Sequence, residues 1–217
     1  MYTVLLIIGG WIFSLCLHEY AHARVAYSGG DHTVKEKGYL SFNPLRYADP
    51  LMSVILPVLM VLMGGLALPG GAVYIETWRL KSRWWDSAVS AAGPAANVIL
   101  VIIISIVMHF APDDTRGFWA ALAFLGQLQV AAVLFNLLPI PPLDGFGILA
   151  PFFSREERNN LNVKGRYCIF ILYFIVWRVP GVGTLYWQIV NHVSAAVGIQ
   201  PYDGYIGYEE LRAALPW

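Results

Sequence analysis

Three ionisable side chains, His18, Glu19 and His22, fall within five residues of an otherwise apolar run, GGWIFSLCLHEYAHARVAY. A charge at the centre of a bilayer costs on the order of 2–3 kcal/mol, so any fold that places this run in a membrane must give those groups partners. The spacing HExxH names a partner. On a helix, His18 and His22 share a face on adjacent turns and can grip one metal ion, with Glu19 able to reach a water there as general base. Zinc is the ion that suits this donor set. Water is scarce in such a segment, so a metal site here points to hydrolysis within the membrane. The bland reading, histidines as packing residues on an apolar helix, leaves the trio without partners.

Composition supports the membrane setting. Mean hydropathy is +0.58, with 58% hydrophobic and 13% charged residues. A soluble domain is nearer half apolar and a quarter charged, so the chain reads as a polytopic membrane protein of all-α class. Formal net charge is zero, which gives no reason to expect nucleic acid as a partner. The two cysteines, Cys16 and Cys168, lie in apolar runs and read as small buried hydrophobes, with Cys16 facing away from the histidines. The first segment has no basic region before it, and cleavage after Ala23 would destroy the motif, so it reads as a retained helix and not a signal peptide.

Apolar segments are expected over residues 4–26, 51–68, 87–110, 118–138 and 167–190, about four to six membrane segments in all. Pro57 and Gly64-Gly65 interrupt the second, and Pro180-Gly181 should kink or break the last. AVYIETW (72–78) alternates and is β-prone, which predicts a re-entrant helix/β-strand hairpin over residues 50–76. The residues after the last segment are amphipathic and are expected at the surface. No linker divides the chain, so residues 1–217 read as one integral-membrane domain with a core of about 4–150 and an accessory segment and tail over 151–217. Lys and Arg collect in 27–49, 77–86 and 154–166, whereas the turn 111–117 is acidic. The positive-inside rule puts the basic loops and HExxH on the cytoplasmic side. Irregular backbone between 50 and 76 is tolerated at that depth only beside protein or a wet cavity.

A catalytic zinc site needs a third protein ligand. Asp31 and His32 fall in a polar loop beyond the first helix and are poorly placed. Asp144 is the better candidate. It follows three prolines in NLLPIPPLDG (136–145), which force an extended backbone, at the end of a helix entering from the other side.

HExxH in a membrane helix, AAGPAAN (91–97) and NLLPIPPLDG together resemble the site-2 protease family of intramembrane zinc metalloproteases. The resemblance covers roughly residues 4–150 and is nearest to the compact prokaryotic members without a PDZ-like region. It implies one zinc per chain held by His18, His22 and Asp144, with Glu19 catalytic and Asn97, of the GPxxN motif, near the active site. Asn97 is the candidate to bond the substrate carbonyl or oxyanion. Asn136 matches the asparagine of the second motif, and both amides also suit plain interhelical bonding. Phe146 stands where the family often has a second glycine, next to Asp144. The implied substrate is a transmembrane protein within the lipid bilayer of a bacterial or archaeal cell, cleaved in regulated intramembrane proteolysis. AVYIETW would then pair with the unwound substrate by strand addition. Competing readings are a catalytically silent membrane metalloprotein, against which Glu19 argues, and a divalent-cation transporter, against which the single compact polar cluster argues.

Overall fold

A computed structural model describes residues 2–49, 53, 55, 70–165 and 168–214. Among these the chain is helical, with no strand. Three described helices are long and apolar enough to cross a membrane: α1 (Tyr2–Gly29), α2 (Arg83–Met108) and α3 (Phe118–Asn136). They fall within a few residues of the segments expected at 4–26, 87–110 and 118–138.

The centre of the bundle is α3. Ala120, Ala121 and the run Ala123–Ala131 are all buried, so the helix has no polar face to turn outward. It packs against α1 and α2. The α2 helix is two-sided instead. Val101, Ile104 and Met108 pack into the core, while Ile99, Ile102, Ile103 and Ile106 are exposed on the opposite side, a face suited to hydrocarbon. Where α1 ends, its last carbonyls are met by the chain entering α2. Lys81 donates its backbone N–H to Gly29 O (2.9 Å) and its Nζ to Ser28 O (2.8 Å). These bonds satisfy groups a helix C-terminus leaves open and put a cation at its negative end.

After α3 the chain runs through 137–143 into a short helix, α4 (Asp144–Leu149), which lies on α2. Ser87 Oγ donates to Ile148 O (2.7 Å), and a Cβ at Gly147 would sit 2.5 Å from Ser90 Oγ, so the glycine permits the approach. Next comes α5 (Arg155–Gly165), tied back to α2 by Arg158 Nη1 on Asp86 Oδ2 (2.8 Å).

The break expected at Pro180-Gly181 is present: α6 (Cys168–Arg178) and α7 (Val182–Ala196) part at Gly181, whose φ of +86° favours glycine. Two sequence expectations change here. The tail does not simply lie on the surface: α8 (Pro201–Ala214) packs along the N-terminal half of α3. Gly204 and Gly207 make that possible, since a Cβ there would meet Gln127 and the Ala120 carbonyl. Glu210 holds the helix down by accepting from Thr3 Oγ1 (2.7 Å) and Gly117 N (3.0 Å). Finally, AVYIETW is not a strand. Residues 70–76 are irregular and Thr77–Arg79 forms a 3₁₀ turn, because no second strand runs beside them among the described residues. The helical arm of the expected hairpin, 51–68, lies outside the described residues apart from Ser53 and Ile55.

Candidate metal centre

Helical spacing places His18 and His22 on one face of α1, with their rings edge-on at 4.7 Å. Each ring is oriented through Nδ1. His18 Nδ1 bonds Asn97 Oδ1 (3.0 Å), and His22 Nδ1 donates to the Val89 carbonyl (2.6 Å). Both partners are on α2. A carbonyl can only accept, so His22 carries its proton on Nδ1. The amide oxygen of Asn97 sets the same tautomer for His18.

In the neutral imidazoles both Nε2 atoms then turn bare lone pairs toward each other, 3.0 Å apart. The Asp144 carboxylate, at the start of α4, completes the triangle with Oδ2 3.2 Å from His18 Nε2 and Oδ1 3.4 Å from His22 Nε2. Although so close, the buried Asp144 Oδ2 finds no hydrogen-bond donor in neutral imidazoles of this tautomer. Three electron-rich atoms then converge, and a shared cation balances their repulsion. Tetrahedral zinc with bonds of ~2.0–2.1 Å would hold its ligands about 3.3 Å apart, inside the observed range. The donor set fits zinc.

Gly93 forms the floor. A Cβ there would lie 2.5 Å from His18 Nε2 and closer still to His22 Nε2. Pro94 follows it inside α2 and removes the N–H that Ser90 O would otherwise receive. Glu19 is also buried, at 5% exposure, on the side of α1 that meets the irregular segment. Gly71 lies against its Cγ, and the Val73 N–H faces its carboxylate. A cavity of about 1210 Å³ opens from this point, lined by the ligand set, by Gly70–Val73, by α3 and by α8.

The structure thus brings together His18, Glu19, His22, Asn97 and Asp144, contributed by α1, α2 and α4. Asn136 lines the same cavity without touching the histidines in a described contact. Phe146 is buried and stacks on Phe153 at 6.1 Å, filling space behind Asp144. Cys16 faces away, packed with Tyr39 and Tyr47.

Asp31 and His32 are not part of the cluster. His32 packs edge-on against Tyr27, and both oxygens of the fully buried Asp31 are engaged by backbone and hydroxyl donors. Sequence reasoning missed the Val89 carbonyl, which no side chain advertises, and the Gly93 floor, whose signal was a glycine inside an apolar helix.

No family model and no solved structure matches this chain. Curated proteins do. One from Mycolicibacterium smegmatis, named "Putative zinc metalloprotease Rip2", is 41% identical over 214 residues, 98% of this chain and 82% of that one. The protein of that name from Mycobacterium tuberculosis H37Rv is 37% identical across 89% of this chain and 78% of its own length. A third similar protein, YwhC of Bacillus subtilis, is 31% identical across 83% of each.

Proposed function

We propose that this chain, which belongs to the zinc metalloprotease family of Rip2 and YwhC, is an intramembrane endopeptidase of the site-2 protease type. The observation that carries the proposal is the meeting of three lone-pair donors beside a buried glutamate, midway along a helix of membrane-crossing length. His18, His22 and Asp144 would hold one zinc ion, which supplies Lewis-acid activation of water and of the scissile carbonyl. Glu19, held next to that position by α1, takes the proton from the attacking water and returns it to the leaving amine. Asn97 and the Val89 carbonyl keep both imidazoles in the tautomer that leaves Nε2 free, a service that metal-binding histidines depend on. With its oxygen engaged on His18, Asn97 has its NH₂ group left to meet substrate.

The substrate is the transmembrane segment of another protein, unwound at the site because a helix hides its carbonyls in its own hydrogen bonds. The re-entrant reading of 50–76 belongs to this proposal. Gly70–Val73 would run along the extended substrate and replace backbone bonds it loses, without forming a sheet of their own. The excess of Lys and Arg in 27–49, 77–86 and 154–166 supports a centre on the cytoplasmic side of a prokaryotic membrane.

The test is cleavage of a reconstituted transmembrane substrate by wild type and Glu19→Gln, with zinc content of wild type and Asp144→Ala alongside. We expect one zinc per chain, lost or weakened in Asp144→Ala, and cleavage abolished with zinc retained in Glu19→Gln. Cleavage that survives Glu19→Gln would refute the mechanism, and zinc-dependent cation flux without cleavage would favour the transporter.

A further inference from the structure

Residues 70–76 have no secondary structure to hold them, yet they form the wall facing Glu19. Their position therefore depends on individual tethers. Ala72 N donates to Tyr47 O (2.9 Å), Ser53 Oγ donates to Gly70 O (2.6 Å), and Lys37 Nζ reaches Tyr74 O (3.0 Å). Tyr47 and Lys37 belong to the loop, and Lys37 is on a flexible, partly exposed side chain.

One tether differs. Asp31 lies two residues past the end of α1, and its own N–H is bound to Ala26 O (3.0 Å), so it moves with the helix that carries His18, Glu19 and His22. Its side chain is fully buried and its oxygens are divided. Oδ1 accepts from Thr33 N (3.0 Å) and Thr33 Oγ1 (2.6 Å), fixing the turn that follows. Oδ2 accepts from Glu76 N (2.8 Å), forty-five positions away. A buried carboxylate makes stronger bonds than a neutral group and cannot exchange its partner for water.

From this division we infer that Asp31 is a positioning residue for proteolysis: its Oδ2 clamps the cavity-facing segment 70–76 to α1 and so sets the register between extended substrate and Glu19. The inference rests on the proposed peptidase reading. The clamp is made by one oxygen, and the other serves the Thr33 turn, so the two functions of the carboxylate can be separated. Asp31→Asn keeps the shape and replaces one acceptor by a donor, setting NH₂ against the Glu76 N–H when the turn keeps its oxygen. Thr33→Val removes only the hydroxyl bond on the other side.

The experiment uses zinc-loaded full-length protein in detergent, read by amide exchange, zinc content and, on a transmembrane substrate, mass spectrometry of product ends. Asp31→Asn should retain its zinc and exchange about 10- to 150-fold faster over 70–76, with α1 still protected, the range expected for one lost charge-assisted bond. Its products should spread over neighbouring peptide bonds, whereas Thr33→Val should cut at the wild-type position. Unchanged exchange at 70–76 would overturn the clamp. So would zinc loss with exposure of α1, or equal effects of the two substitutions, because either result makes Asp31 a general folding residue. Should wild type cleave nothing, the peptidase reading fails while the exchange result still decides the clamp.

Discussion

Gly93→Ala sets two physical effects against each other. By helix propensity alone, alanine inside α2 should stabilise the protein by about 1 kcal/mol. At this position, however, the new methyl would sit 2.5 Å from His18 Nε2, where ordinary contact begins at 3.4 Å, a shortfall of about 0.9 Å, and nearer still to His22. Metal ligands tolerate displacements of only about 0.2 Å. At least one imidazole must swing away, breaking its Nδ1 bond to Asn97 or Val89 as it does so. Four-ligand structural zinc sites bind with apparent energies of roughly 10–16 kcal/mol, so one ligand is worth about 3–4, or 10²–10³ in affinity. We therefore expect Gly93→Ala to bind zinc at least about a hundredfold more weakly in competition with a chromophoric chelator. The apo-protein, whose rings are free to turn aside, should unfold at a temperature close to the wild type's. Zinc affinity within threefold of wild type would refute the convergence of the two Nε2 atoms over Gly93.

Other substitutions probe the remaining contacts. Asn97→Ala should weaken zinc by about 10- to 100-fold, since it releases the His18 ring without removing a ligand; an unchanged affinity with a lower turnover would instead assign the amide to substrate alone. Val73→Pro deletes the N–H that faces Glu19 and should slow cleavage without releasing zinc, and unchanged cleavage counts against strand addition by this segment. Gly207→Leu drives a side chain into Ala120 and Phe124 and should lower stability by roughly 1–3 kcal/mol while leaving zinc affinity intact, as seen by denaturation and metal titration. The Glu76 carboxyl is held below its ordinary value of 4.5, first by its bond to Arg79 and then by that to Lys37. Its lowered value means the charged form favours the folded segment. Anchoring by Glu76 is therefore complete above about pH 5 and fades as pH falls through the lowered value, so amide protection over 70–76 should be flat from pH 8 to about 5.

Much of the centre was legible because each of its parts uses covalently local signals. HExxH needs only helical spacing, and Asp144 follows prolines that dictate their own backbone. The three long helices could be read because a bilayer imposes length and hydropathy together. What resisted reading depends on partners remote in sequence. AVYIETW alternates like a strand, but alternation becomes a strand only beside another edge, and tethers from Tyr47 and Asp31 took that role. Asp31 itself was weighed as a ligand or a loop residue, because nothing local says that Glu76 N will arrive at its free oxygen. The tail reads as amphipathic and surface-lying. Gly204 and Gly207 were the overlooked signal, a pair of small residues on one face that lets α8 lie against α3.

That docking has a consequence for the order in which the protein is made. All three groups around the proposed zinc lie before residue 150, whereas the α8 wall of the cavity begins at Pro201. At 5–20 residues per second, the roughly sixty residues between α4 and the end of α8 take about 3–12 s to synthesise. During that interval the nascent chain carries a complete donor set beneath an open cavity. Metal can enter a half-walled vestibule then, before α8 arrives to line it.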